Sequence, residues 1–314
     1  MTPGFAFSLL KLQLITWRRS LHSSICGWVA LLLTTSCTSP TKPPLAVAPS
    51  IVAQPSPAIA DTTYTLPHSV VHVLTIPAAG RYTVVPMVSD RLASVESWAQ
   101  RSGAIAVING GFFDPQNAKS TSYIVTQGKQ VADPRQNERL INNPDLAPYI
   151  DKILNRSEFR QYQCGQGIRY DITQHQSPVP TGCKLVHALA AGPQLLPQST
   201  AVAEGFLDSA NGVIIRDAIG SQQPNARSAV GITGDGTVVW VMAAQKPDQP
   251  TGSGLTLPEL AEFMRSLSVE RALNLDGGSS AALYYQGKTV YGKLDAEGRP
   301  VKRQVKSVLL VPRL

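Results

Sequence analysis

Runs of β-branched and other apolar residues, separated by turns rich in Gly, Pro and Asn, recur from about Leu66 to the C-terminus and predict a mostly β protein. Residues 70–76 and 82–88 are two such runs on either side of Pro77 and Gly80, which predicts a hairpin or a strand pair. Across 89–102, Leu92, Val95 and Ala99 share one helical face, with Ser89 or Asp90 to cap the start and Gly103 to end the helix. A strand at 104–108 follows, and 123–131 reads as a hairpin turning at Gln127-Gly128. Residues 185–190 form another strand, ended by a turn at Gly192; His187 within it reads as a structural histidine more readily than a catalytic one. Residues 227–233 and 237–243 pair across Gly234-Asp235-Gly236 as a hairpin. Thr256 and Glu259 make a capping box for a helix whose stripe is Leu257, Leu260, Ala261, Met264 and Leu267. Beyond it come a strand ending near Leu275, a hairpin over 283–291 turning at Gln286-Gly287, and a closing strand over 305–312. No internal repeat and no second hydrophobic nucleus are evident. The expectation is therefore an α+β fold in which residues 66–314 form a single domain on a mostly β mixed sheet with a few flanking helices. Residues 133–183 are the least patterned and read as an insertion or cap.

The N-terminal fifth of the pattern is different. Lys11, Arg18 and Arg19 precede an apolar core at 25–33 and then small residues up to Cys37, as in an export signal over 1–36. That core is too short to span a bilayer permanently. The run Leu33-Thr-Thr-Ser-Cys37 resembles a lipoprotein cleavage site, which makes Cys37 the candidate for lipidation and a membrane anchor; ordinary signal-peptidase cleavage nearby is the alternative. Six prolines between 38 and 60, with no aromatic or acidic residue, predict an extended tether, assigned to 37–65.

The net charge of +7 drops to +4 once residues 1–36 are set aside, leaving 25 basic and 21 acidic residues. No Lys/Arg run interleaved with aromatics occurs, so nucleic-acid binding has no support. Cys164 and Cys183 are the two cysteines of the body, and in an exported protein they predict a disulfide worth roughly 3 kcal/mol; two buried free thiols are the alternative. No Cys-x-x-Cys or clustered His accompanies them, so neither a metal nor another cofactor is expected.

Two stretches carry candidate chemistry. In LNLDGGSSAAL (273–283), Leu273 and Leu275 alternate with Asn274 and Asp276, so the amide and the carboxylate share a face at a strand end. Gly277 and Gly278 free the backbone to turn with N–H groups toward an anion or sugar oxygen, and Ser279 adds a hydroxyl. A polar turn in which Asp276 only caps its neighbours is the alternative. The second stretch, Asn109-Gly110-Gly111-Phe112-Phe113-Asp114, repeats the logic: a strand, an Asn, a Gly pair and an Asp. Two strand ends built alike suggest two lips of one pocket, with at least one of the two phenylalanines in the core. Arg227, at the mouth of its strand, reads either as a surface salt bridge or as a bidentate anion clamp.

Four stretches together resemble the phosphodiester glycosidase family: Asn109-Gly-Gly-Phe-Phe, Ala190-Ala-Gly-Pro-Gln-Leu195, Ala226-Arg-Ser-Ala-Val-Gly231 and Asn274-Leu-Asp-Gly-Gly-Ser279. The chain departs from that pattern at Ala191, Ser228 and Ser279. The resemblance implies an exported hydrolase of sugar-1-phosphodiesters, an α-linked N-acetylglucosaminyl unit being one such sugar, acting in envelope or extracellular polysaccharide metabolism. It implies Asp276 as base or nucleophile with Asp114 in reserve. Arg227 and the N–H groups of Gly110, Gly111, Gly277 and Gly278 would hold phosphate, and Asn109 and Asn274 the sugar hydroxyls. A phosphate monoester leaves readily, so one carboxylate in place of the usual glycosidase pair suffices. The competing reading is a non-catalytic lipoprotein that binds envelope glycans through the same pocket.

Overall fold

A computed structural model of the chain describes residues 57–78 and 81–313. The expected export signal, Cys37 and most of the proline-rich segment lie outside these residues. In chain order the strands are β1 (Ala60–Thr65), β2 (Val70–Ile76), β3 (Val85–Ala93), β4 (Ala106–Asn109), β5 (Ile124–Thr126) and β6 (Lys129–Ala132). Then come β7 (Ser157–Cys164), β8 (Gly167–Gln174), β9 (Cys183–Ala190), β10 (Gln194–Leu196), β11 (Leu207–Ala210) and β12 (Val213–Asp217). The last six are β13 (Arg227–Thr233), β14 (Val238–Ala244), β15 (Val269–Asn274), β16 (Ala282–Tyr285), β17 (Lys288–Tyr291) and β18 (Val305–Val311). The α-helices are α1 (Val95–Ser102), α2 (Glu138–Ile141), α3 (Ile150–Leu154) and α4 (Leu257–Ser266).

Three sheets share one core. The first has the order β1-β2-β14-β13-β15-β10, the second β17-β16-β4-β18-β3, and the third β6-β5-β9-β7-β8, while β11 and β12 pair only with each other. Leu74, Val230, Trp240 and Leu273 of the first sheet meet Ile108, Leu283 and Leu309 of the second and Ile124, Phe159, Ile172 and Leu189 of the third. The outer face of the first sheet is covered by Leu257, Leu260 and Met264 of α4, and that of the second by Trp98 and Ala99 of α1. The α4 capping box forms as the sequence predicts, with Thr256 and Glu259 each satisfying the other's backbone N–H.

Several expectations are corrected. The strand ladders are antiparallel, where a mixed sheet was expected. The segments at 70–76 and 82–88 do not pair: β2 lies between β1 and β14, whereas β3 pairs with β18 in another sheet. β-Branched content marks a strand but not its partner, which here is set by packing over long sequence distances. The helix expected from residue 89 begins at Val95, because residues up to Ala93 are held in the ladder with β18 and Ser94 provides the cap, accepting from the Ser97 N–H. Its end is as predicted, with Gly103 left-handed at φ 65°. The folded part starts before Leu66, since β1 pairs with β2 over its whole length. Residues 133–183 are not a separate cap: β7 and β8 continue the sheet of β9, and Phe159 and Ile172 enter the common core. Cys164 and Cys183 are disulfide-bonded as cross-strand partners of β7 and β9.

Candidate active site

Leu273 and Leu275 are fully buried in the core, and the alternation along β15 turns Asn274 and Asp276 the other way. Past Asn274 the chain leaves the first sheet, makes a 3-10 turn over Gly278–Ser280 and enters β16 of the second. Residues 275–281 therefore bridge two sheets, and Asp276 sits on the bridge. Its backbone is held at both ends: its N–H donates to the Gly110 carbonyl (3.0 Å), and its carbonyl accepts from Asn109 Nδ2 (2.5 Å).

Asn109 is wholly buried, and its Oδ1 accepts from Ser228 Oγ (2.7 Å) and from the Ala282 N–H (3.2 Å). It thus ties β4, β13 and β16 to the Asp276 backbone, and the expectation that it holds sugar hydroxyls is corrected. Three of the four glycine N–H groups are likewise spent inside the protein. Gly110 N–H donates to the Ser307 carbonyl (2.9 Å), Gly111 N–H to Ser307 Oγ (3.1 Å) and Gly278 N–H to the Ala226 carbonyl (2.8 Å). The Gly277 N–H faces the Asp276 carboxylate itself. The glycines are required for approach rather than for an anion nest: a Cβ on Gly111 would overlap the Ala190 carbonyl oxygen, and one on Gly110 would lie 2.6 Å from Ser307 Oγ. Gly278, at φ 58°, is also needed for its left-handed backbone.

The Asp276 carboxyl is pushed up to about 6, because protein surrounds it and withholds the solvation its charge needs. The Ser280 hydroxyl, the positive charge of Arg303 and the Gly277 N–H oppose that shift without cancelling it. Arg303 was not singled out in the sequence. It arrives from just before β18, donates from Nη1 to Ser279 Oγ (2.9 Å) and lies over the Phe113 ring (5.2 Å). The Ser279 hydroxyl is thereby turned to Arg303 and does not line the cleft described below.

A cleft of about 190 Å³ opens beside Asp276, lined by Phe112, Ile219, Asn225, Arg227, Asn274, Asp276, Gly277 and Gly278. Phe112 is a wall, and Phe113 is core, packed with the α1 cluster. Arg227 does reach the cleft, but 98% of its surface is buried and its fork is occupied. Nε donates to the Leu255 carbonyl (3.0 Å), Nη1 to Ile219 (3.0 Å), and Nη2 to Gly220 (2.6 Å) and Gln223 (2.9 Å). Four of its five N–H groups thus meet main-chain carbonyls, so the bidentate anion clamp expected of it is not available in this arrangement. Burial lowers its pKa to about 10, which leaves it cationic at neutral pH.

Asn274 is held from behind. Its Nδ2 donates to the Gly192 carbonyl (2.8 Å), and the Gly192 N–H returns a bond to the Asn274 carbonyl (2.9 Å). Its Oδ1 is buried and has no partner among the described residues. An orphaned acceptor at a cleft wall asks for a donor from a ligand. Behind Gly192 lies Glu204, fully buried and bonded to Ser157 Oγ (2.6 Å) and Thr200, which packs so closely that a Cβ at Gly192 would strike its Oε2. Asp114 is not brought to the cleft. Its carboxylate accepts from the Gln116 N–H (2.8 Å) and forms an ion pair with Arg139 (2.8 Å), 25 residues on.

An antiparallel three-sheet body with one acidic side chain in a small polar cleft at the sheet junction defines an α+β protein with a compact candidate site. The chain belongs to the phosphodiester glycosidase family, whose sequence model matches residues 102–311. No curated protein matches it significantly. Among solved structures it is similar to the zebrafish N-acetylglucosamine-1-phosphodiester α-N-acetylglucosaminidase catalytic domain auto-inhibited by its pro-peptide, at 18% identity and TM-score 0.56, covering 82% of each chain. It is similar also to a hypothetical protein from Synechocystis, at 17% identity and TM-score 0.54, covering 81% of this chain and 62% of that one. A Burkholderia pseudomallei protein described as exported aligns at 17% identity and TM-score 0.53, over 78% and 74% of the two chains. At these identities the likeness is one of fold.

Proposed function

We propose that the protein hydrolyses the glycosidic bond of a sugar-1-phosphodiester, with Asp276 as base or nucleophile. The observation that carries this reading is the single carboxylate of the cleft, raised toward neutrality and fixed by its own backbone, in a chain of the phosphodiester glycosidase family. A phosphate monoester is a good leaving group, so the reaction does not require the second carboxylate that most glycosidases use to protonate a sugar alkoxide. The Asn274 Oδ1 acceptor takes a hydroxyl or amide N–H of the sugar. The Arg227 and Arg303 charges favour an anionic substrate through their field, Arg227 with its one remaining N–H and Arg303 with most of its donors uncommitted among the described residues. The cleft volume suits one sugar unit rather than an oligosaccharide. Export, a lipid anchor at Cys37 and a role at the cell envelope belong to the same proposal and rest on the N-terminal sequence.

Incubating the purified protein with an aryl phosphodiester of N-acetylglucosamine, UDP-sugars and teichoic-type polymers tests it. Release of free sugar together with the phosphate monoester is expected from at least one of them. Binding of these ligands without any turnover would place the protein with non-catalytic glycan binders instead.

A further inference from the structure

The β11–β12 hairpin is the part of the fold that no core explains. It pairs with no other strand, and its turn is built on Asn211 and Gly212, both left-handed (φ 51° and 77°). Val213, Ile214 and Ile215 follow one another with exposures of 65%, 56% and 60%. Successive strand residues point to opposite faces, so three consecutive exposed apolar side chains leave both faces of the hairpin greasy. A two-stranded hairpin has little stability of its own in water, and contiguous exposed apolar surface marks a contact site.

Around the base of the hairpin the chemistry changes. Asp208 accepts from the Tyr149 hydroxyl (2.8 Å) and is held in its ionised form by that bond and by the Lys152 and Arg216 charges, and Arg216 stacks on the Tyr149 ring (4.6 Å). Lys152 reaches the carbonyl of Val202, whose own side chain is 58% exposed. Apolar side chains on two faces, rimmed by a tyrosine and two cations, are what a bilayer interface accommodates: chains below, headgroups at the rim. A lipid surface covers both faces at once and takes the cations at its rim.

We propose that the β11–β12 hairpin is a lipid-contacting element that dips Val213, Ile214 and Ile215 into an anionic bilayer surface, with Arg216 and Lys152 at the headgroups. The net charge of +4 beyond residue 36 agrees in sign. The hairpin leads directly to the cleft: the Ala218 N–H donates to the Phe206 carbonyl (2.9 Å), and Ile219 is a cleft wall whose carbonyl Arg227 holds. Docking therefore sets the cleft beside the headgroup layer. This inference uses neither the Cys37 anchor nor the reaction proposed above.

Hydrogen exchange of the full chain, with and without phosphatidylcholine vesicles containing phosphatidylglycerol, tests it residue by residue and does not depend on turnover. Amides of 207–217 should exchange at least tenfold more slowly with anionic vesicles and show much less protection with pure phosphatidylcholine. The triple variant Val213→Thr, Ile214→Thr, Ile215→Thr keeps β-branched side chains at every position, so it should fold with an unchanged Tm and lose that protection. Absence of vesicle-dependent protection at 207–217 in the wild type overturns the proposal. So does protection without vesicles that disappears when residues 1–56 are removed, or that grows with protein concentration, since these assign the hairpin to the chain's own N-terminal segment or to a second copy.

Discussion

The two glycine-bearing strand ends, Asn109 to Asp114 and Asn274 to Ser279, look alike in sequence and do opposite work in the structure. Both place an Asn at a strand end before a Gly pair. In the first, Asn109 is sealed in the interior and the glycines admit Ser307 and the Ala190 carbonyl at close range. In the second, Asn274 keeps an unmatched acceptor at the cleft and Asp276 faces the same space with a weakened acid. The first strand end is the clamp and the second is the tool that it holds. Similar residues at similar positions acquire different roles because one set is closed over by a neighbouring sheet and the other is left facing a void.

The largest expected effect separates the two aspartates. Asp276→Asn should lower turnover on a sugar-1-phosphodiester by about a hundredfold or more, while Asp114→Asn, which removes only a partly exposed ion pair, should change it by no more than about threefold. Steady-state kinetics on the two variants decides it, and comparable losses would erase the distinction. Stability should move the other way. Because the folded protein raises the Asp276 pKa from 3.8 to about 6, stability falls as pH rises between those values and stays lower above them. Asp276→Asn should therefore melt no lower than wild type at pH 7.5 and gain relative to it, by about 1–2 kcal/mol, a margin that vanishes near pH 4.

Next in size is the clamp. Gly111→Ala forces a methyl group onto the Ala190 carbonyl and should cost about 3 kcal/mol or more, seen as a fall in the midpoint of denaturant unfolding. Gly277→Ala, whose Cβ would lie 3.1 Å from the Ala226 carbonyl, should cost less. Arg227→Lys should lower the melting temperature together with activity, since a single ammonium cannot replace four carbonyl contacts. Loss of activity at full stability would restore the anion-clamp reading. The smallest effect is the pH profile: wild-type kcat/KM should fall below about pH 6 with unit slope as Asp276 takes up its proton.

Local signals in the sequence were legible, and long-range ones were not. The capping box at Thr256, the turns at Gln127-Gly128 and Gln286-Gly287, and the hairpin of β13 and β14 depend on residues a few positions apart, and each forms as read. The alternation that turns Asp276 away from Leu275 is equally local. The pairing of β2 with β14 and of β3 with β18 joins strands more than 150 residues apart, which no local pattern encodes. Arg303 shares that invisibility, 27 positions after Asp276 and in a stretch without periodicity. The Gly110 and Gly111 N–H groups were misassigned for the same reason, since only Ser307 on β18 shows that they are already bonded. Glycine content announces that the backbone comes close to something, and only the tertiary structure shows what.

The double hold on the Asp276 main chain bears on how this scaffold diversifies. Its N–H and carbonyl are bolted to the end of β4, whereas Phe112, Ile219 and Asn225 line the same cleft without bonding to the Asp276 main chain. The position of the carboxylate and the make-up of the wall are thus separable: a wall side chain can be exchanged without loosening the bolt that holds Asp276.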